Sequence, residues 1–117
     1  MSRMKPGKKT SEEEVPQSRI LFVDTKPHGA NKVINPNDLD KPNILERSAY
    51  DECIILNSTP KQLYNKALFN VVRALKKGSK CEIFLESMED ALMVSEEGKI
   101  AGFVDAQINK NKVVLTK

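Results

Sequence analysis

One histidine and two cysteines are the side chains of this chain best suited to nucleophilic or metal chemistry. His28 stands between Pro27 and Gly29, so any Ser–His or Cys–His pair would have to use that one imidazole. Its turn setting reads as a solvated loop. Cys53 and Cys81 are 28 positions apart, with no second Cys or His at ligand spacing around either, which is the wrong pattern for a structural metal. Both fall within apolar runs, where cysteine behaves as a small hydrophobe. Glu89-Asp90 suits the positive end of a helix better than acid–base work. The glycines, at 7, 29, 78, 98 and 102, assemble no GxGxxG, GxxxxGK or GxSxG, so neither a phosphate cradle nor a nucleophile elbow is encoded. The pattern points away from an enzyme and marks no catalytic, cofactor-binding or metal-ligating residue.

A different pattern suits contact. Lys66, Asn70, Arg73 and Lys77 are spaced four, three and four, which aligns them as one stripe on a helix. The stripe reads either as a solvated face or as a docking patch for an acidic partner, since aligned charge raises encounter rates.

The elements that must carry these residues belong to one domain. The chain has 117 residues and a formal charge of +3. Residues 1–18, with a basic run, an acidic triplet and two prolines, have too little to bury and read as a disordered tail. The alternative for them is a basic arm that grips an acidic partner. From residue 20 onward 14 basic side chains meet 13 acidic ones, a net of +1 that counts against a nucleic-acid surface. No apolar run approaches the ~20 residues of a membrane span, and the N-terminus lacks a signal-peptide core. A cytoplasmic monomer with reduced cysteines is expected.

Residues 20–23 (ILFV) read as a buried strand, and 31–48 as a long connection with one short element. Residues 53–56 (CIIL) read as a strand covered on both faces. Thr59, Pro60 and Gln62 then form a helix start, with apolar residues recurring at helical spacing to Gly78, so a helix over 60–77 is expected with Gly78 as its left-handed stop. Residues 81–86 form the next strand. Ser87 caps a second helix whose buried face would draw on Ala91, Leu92, Val94 or Ser95, and Ile100. Residues 103–108 and 113–115 flank a polar NKNK turn with a left-handed-tolerant Asn, which spells a β-hairpin. Strand, helix and strand at this length make the two strands parallel. The fold class is therefore α/β, a three-layer and mostly parallel sheet ending in an antiparallel hairpin.

The stretch from Tyr50-Asp51 to Glu86 (YDECIIL…LFNVVRALKKGSKCEIFLE) resembles the fourth strand, following helix and fifth strand of Rossmann-like methyltransferases, and Ile100-Ala101-Gly102-Phe103 resembles that fold's link into its sixth strand. The closing hairpin then falls where the sixth and seventh strands should. Too little chain precedes Tyr50 for the full fold, and the glycine-rich loop that holds S-adenosylmethionine is missing. Asp24, after the first strand, could mimic the family's ribose-binding acid. In this reduced state the domain, over residues 19–117, is similar to the N-terminal methyltransferase-like domain of the anamorsin (cytokine-induced apoptosis inhibitor) family. The resemblance implies a non-catalytic interaction domain of an electron-transfer component of cytosolic iron–sulfur protein assembly, one that helps dock a diflavin reductase or other assembly partners. It also implies that the iron–sulfur clusters belong to a cysteine-rich C-terminal domain, none of whose motifs occurs here, so this chain would hold no cofactor. Lys66, Asn70, Arg73 and Lys77 are the candidate partner-binding residues. The alternatives are a small Alba-like RNA- or DNA-binding protein and an active S-adenosylmethionine methyltransferase.

Overall fold

The computed structural model describes residues 18–56, 58–63 and 66–117. The expected N-terminal tail, apart from Ser18, lies outside the described residues. Six strands form one mixed sheet: β1 (Ile20–Val23), β2 (Lys32–Ile34), β3 (Tyr50–Ile55), β4 (Leu75–Phe84), β5 (Asp105–Asn109) and β6 (Lys112–Thr116). Two α-helices accompany it, α1 (Lys66–Ala74) and α2 (Met88–Ala101), and short 3-10 turns occupy Pro36–Asp38 and Pro60–Leu63. The strand order is β2-β1-β3-β4-β6-β5. The pairings β1–β2, β1–β3 and β3–β4 are parallel, whereas β4–β6 and β5–β6 are antiparallel. Among the described residues no helix is long and apolar enough to cross a membrane.

Period-two alternation sends one set of strand side chains into the core. Leu21, Val23, Cys53, Ile55, Cys81, Ile83, Val113 and Leu115 are fully buried, and in-register pairs such as Leu21–Cys53–Cys81–Leu115 run across the sheet on one face. Leu68, Val71 and Val94, from the two helices, are buried in the same core cluster.

Three layers were expected, and the described residues make two. The segments joining β1 to β2 and β2 to β3 contain turns and one 3-10 turn, so no described helix is there to cover the second face. That face is half-solvated: Phe22, Ile54 and Val114 are only partly buried, Lys112 pairs with Glu82 at 3.7 Å, and its ammonium lies 5.6 Å from the Phe84 ring centroid. The run at 53–56 is accordingly not covered on both sides, since Ile54 is half-buried and Leu56 is 40% exposed.

The helix expected over 60–77 is shorter. The glutamine half of its start forms, with the Thr59 N–H donating to Gln62 Oε1 at 2.9 Å, but Pro60–Leu63 is a 3-10 turn and α1 stops at Ala74. The reason lies at the helix end, where the carbonyls of Arg73 and Ala74 accept the N–H groups of Ser48 (2.9 Å) and Ala49 (2.8 Å) as the chain enters β3. Gly78 does adopt a positive φ of 86°, but within β4 rather than as a helix stop. It sits between Leu75, which pairs with Tyr50, and Lys80, which pairs with Glu52, in a stretch that departs from the ladder register.

α2 forms as expected, with Ser87 Oγ accepting the Asp90 N–H at 3.1 Å. Its buried side is Ala91, Val94, Ser95 and Gly98, whereas Leu92 and Ile100, expected inside, are 55% and 77% exposed. The helix lies close to the sheet at Gly98, where a Cβ would come within 2.6 Å of Leu115 Cδ1, and that side faces inward while Leu92 and Ile100 fall on the other. The hairpin turns at Lys110-Asn111, and the left-handed residue is Lys110 (φ 60°) rather than an asparagine. Asn111 is committed elsewhere, its side-chain amide donating to the Leu85 carbonyl while its backbone carbonyl accepts the Leu85 N–H at 2.9 Å. The connection after β1 contains a short strand and a 3-10 turn where one element was expected.

Candidate functional site

The chain runs from β1 outward to β2 and then returns to the other side of β1 for β3, so the strand order reverses between β1 and β3. In open α/β sheets ligands bind at the carboxyl ends of the strands beside such a reversal. Here that edge carries Asp24 after β1, Leu56 and Ser58 after β3, and Leu85-Glu86 after β4. The Leu56 N–H donates to the Val23 carbonyl at 3.0 Å, which ties the two switch strands together just beyond their ladder.

Asp24 is held from two sides. One carboxylate oxygen accepts the Thr25 N–H at 2.7 Å and the other lies 2.7 Å from His28 Nε2. The imidazole stacks on Phe22, with ring centroids 4.1 Å apart and planes within 3°. His28 is thus not a solvated loop residue: its side chain is only 25% exposed, and that of Asp24 12%. The arrangement orients an imidazole, as a catalytic dyad would. Phe22, however, points to the half-solvated face, whereas Cys53 and Cys81 point into the helix-covered core, so the sheet separates the histidine from both thiols. Burial, reinforced by the neighbouring Cys53 thiol, pushes the Cys81 thiol well up, the direction expected of a cysteine enclosed in an apolar core.

Between the ends of β3 and β4 lies a cleft of about 310 Å³, lined on its polar side by Ser58, Thr59, Glu86 and Asp90. Ser58 Oγ is buried there without a hydrogen-bond partner. Two carboxylates oppose an anion at this mouth despite the α2 N-terminus behind it. A hollow of about 590 Å³ at the opposite, amino end adjoins Arg19 and Tyr50. Arg19 at its rim is engaged: its guanidinium bonds Glu46 at 3.1 Å and lies 4.8 Å from the Tyr50 ring centroid, while nearby Asp51 accepts the Arg19 N–H at 2.8 Å and pairs with Lys76 at 3.1 Å. The Arg19 N–H first, then the Lys76 ammonium, hold the Asp51 carboxyl below its usual range, and burial raises the Tyr50 hydroxyl. Among the described residues no three His, Cys, Asp or Glu converge as metal ligands.

The basic stripe is only partly assembled. Lys66 is exposed at the start of α1, and Arg73 is half-buried with its guanidinium 5.2 Å from the Phe69 ring centroid. Asn70 shares their face but is committed to the scaffold, its amide donating to the carbonyls of Leu39 (2.8 Å) and Lys41 (2.9 Å). Lys77 is not on the helix at all and lies exposed in β4. Two features escaped the sequence reading. The Asp24–His28 pair had a weak signal, an i,i+4 spacing across a Pro-His-Gly turn. The outward apolar residues of α2, Met88, Leu92, Met93 and Ile100, had a stronger one: small residues at 91, 95 and 98 mark the packed side of that helix. No protein-family model matches the chain, and no curated protein matches it.

Proposed function

We propose that this domain is a non-catalytic protein-interaction module with a reduced, Rossmann-like methyltransferase scaffold of the anamorsin type. In that role it helps an electron-transfer component of cytoplasmic iron–sulfur assembly engage a diflavin reductase. The element order β3–α1–β4–α2–β5–β6, with a reversal of strand order between β1 and β3, supports the scaffold reading. One observation carries the loss of catalysis. Asp24, which the resemblance would set in the role of the ribose-binding acid, already has a partner on each carboxylate oxygen, and the imidazole that binds it is stacked on Phe22. A ribose hydroxyl would have to share this carboxylate with both partners, and the chain has no glycine-rich loop to hold the rest of S-adenosylmethionine.

Titration of the isotope-labelled chain with a diflavin reductase tests the reading by amide chemical shifts. Saturable changes confined to one surface are expected, and no perturbed surface would refute the interaction role. Calorimetry with S-adenosylmethionine is expected to register no heat of binding. A measurable affinity would return the domain to the methyltransferases.

A further inference from the structure

We infer that the outward face of α2 is a docking site for a basic amphipathic helix of a partner protein. The inference rests on reading the domain as an interaction module and names the surface and the chemistry it takes.

Close packing on β6 reserves the inward side of α2 for Ala91, Val94, Ser95 and Gly98. The large apolar side chains are left outside: Met88 is 51%, Leu92 55%, Met93 41% and Ile100 77% exposed. At the ~100° per residue of an α-helix these fall into two rows. Met88 and Leu92 form one, Met93 and Ile100 the other, and Glu89 and Glu96 run between them. Scattered exposed apolar residues are ordinary, but a patch built along one helix marks a contact surface.

The carboxylates select the occupant. α2 carries Glu89, Asp90, Glu96 and Glu97 against Lys99, four negative charges to one positive. Neither Glu89 nor Glu96 has an ion-pair partner among the described residues, so a partner's cations meet no competitor there. A segment that covers both apolar rows must therefore bring cations along its centre, as a helix with leucines flanking lysines or arginines does. A second copy of this chain fits poorly, because a two-fold contact sets the same patch against itself and the acidic row would face its own kind.

The test uses the full labelled chain and two synthetic amphipathic peptides, one Leu/Lys and one Leu/Glu, each long enough to hold a helix. The Leu/Lys peptide is expected to bind saturably and shift the amides of α2, and the Leu/Glu peptide to bind about tenfold more weakly or not at all. Leu92→Asp with Ile100→Asp should weaken the Leu/Lys peptide about tenfold, as loss of central apolar anchors does, without lowering the melting temperature. Glu89→Lys with Glu96→Lys should reverse the preference between the peptides. Equal binding of both peptides, or shifts that fall elsewhere, would overturn the inference. So would a concentration-dependent dimer abolished by the double aspartate variant, which would give the face to a second copy. A diflavin reductase that perturbs only surfaces away from α2 would sink this assignment while leaving the interaction role intact. Peptide binding at α2 with no response to the reductase would keep this assignment and remove the reductase as the partner.

Discussion

α1 and α2 lie against the same face of one sheet, and they turn opposite chemistries toward solvent. α1 buries Ala67, Leu68, Val71, Val72 and Ala74 and sends Lys66, Asn70 and Arg73 outward, with Phe69 its one large exposed apolar residue and covered in part by the Arg73 guanidinium. α2 buries small side chains and exposes Met88, Leu92, Met93 and Ile100. The difference follows from helix-to-sheet distance. Beside Leu115 there is no room for a Cβ at position 98, so the inward side of α2 is chosen by size before hydrophobicity. An apolar residue on a helix is thus not by itself a core residue, and a polar one is not by itself free. Asn70, on the hydrophilic side of α1, fastens the segment after β2 through two backbone carbonyls.

The sharpest way to break this contrast is to place a charge on each helix. Val71→Asp should unfold the domain, because an unpaired buried carboxylate costs several kcal/mol against a total stability of about 5–15 kcal/mol. Leu92→Asp should leave the thermal melt, followed by circular dichroism, nearly unmoved. Equal losses would mean that α2 buries its large residues after all. Next in size, Gly98→Val should cost about 1–3 kcal/mol in urea denaturation by forcing α2 away from β6. A neutral result would remove the packing explanation for the outward apolar rows. Asn70→Ala should cost about 1–2 kcal/mol through its two lost hydrogen bonds, while Lys66→Glu should stay within about 0.5 kcal/mol. If the two substitutions prove equal, Asn70 is no more structural than its neighbour.

The smallest effect concerns pH. The Asp51 carboxyl is depressed in the folded state by the Arg19 N–H and by Lys76, so its stabilising contribution is complete above the ordinary carboxylate pKa and is lost as pH falls through the folded value. Asp51→Asn should therefore flatten the decline of melting temperature below about pH 4. It should do so without changing the contrast between the two helices.

Much of the fold could be read locally. The strand at 20–23, the serine cap at 87, the glutamine that turns back to Thr59 and the hairpin around Lys110-Asn111 each depend on residues within a few positions of one another. β2 falls in the stretch expected to hold one short element, and its type could not be read because three residues at a sheet edge have no periodicity to show. The length of α1 was overestimated because its end is decided by Ser48 and Ala49, some 25 residues earlier in the chain. The stripe at 66, 70, 73 and 77 assumed that length, and lost Lys77 with it.

The amino-acid sequence alone determined the central strands, the existence of both helices and the closing hairpin, the parallel relation of β3 and β4, and the near balance of charge, because these follow from propensity, capping and composition. Only the tertiary structure decided which face of the sheet is covered, that Asp24 and His28 close on each other over Phe22, and which side of α2 meets water. Those outcomes depend on separations between elements remote in the chain, and a distance of that kind is set by packing, which local patterns do not encode.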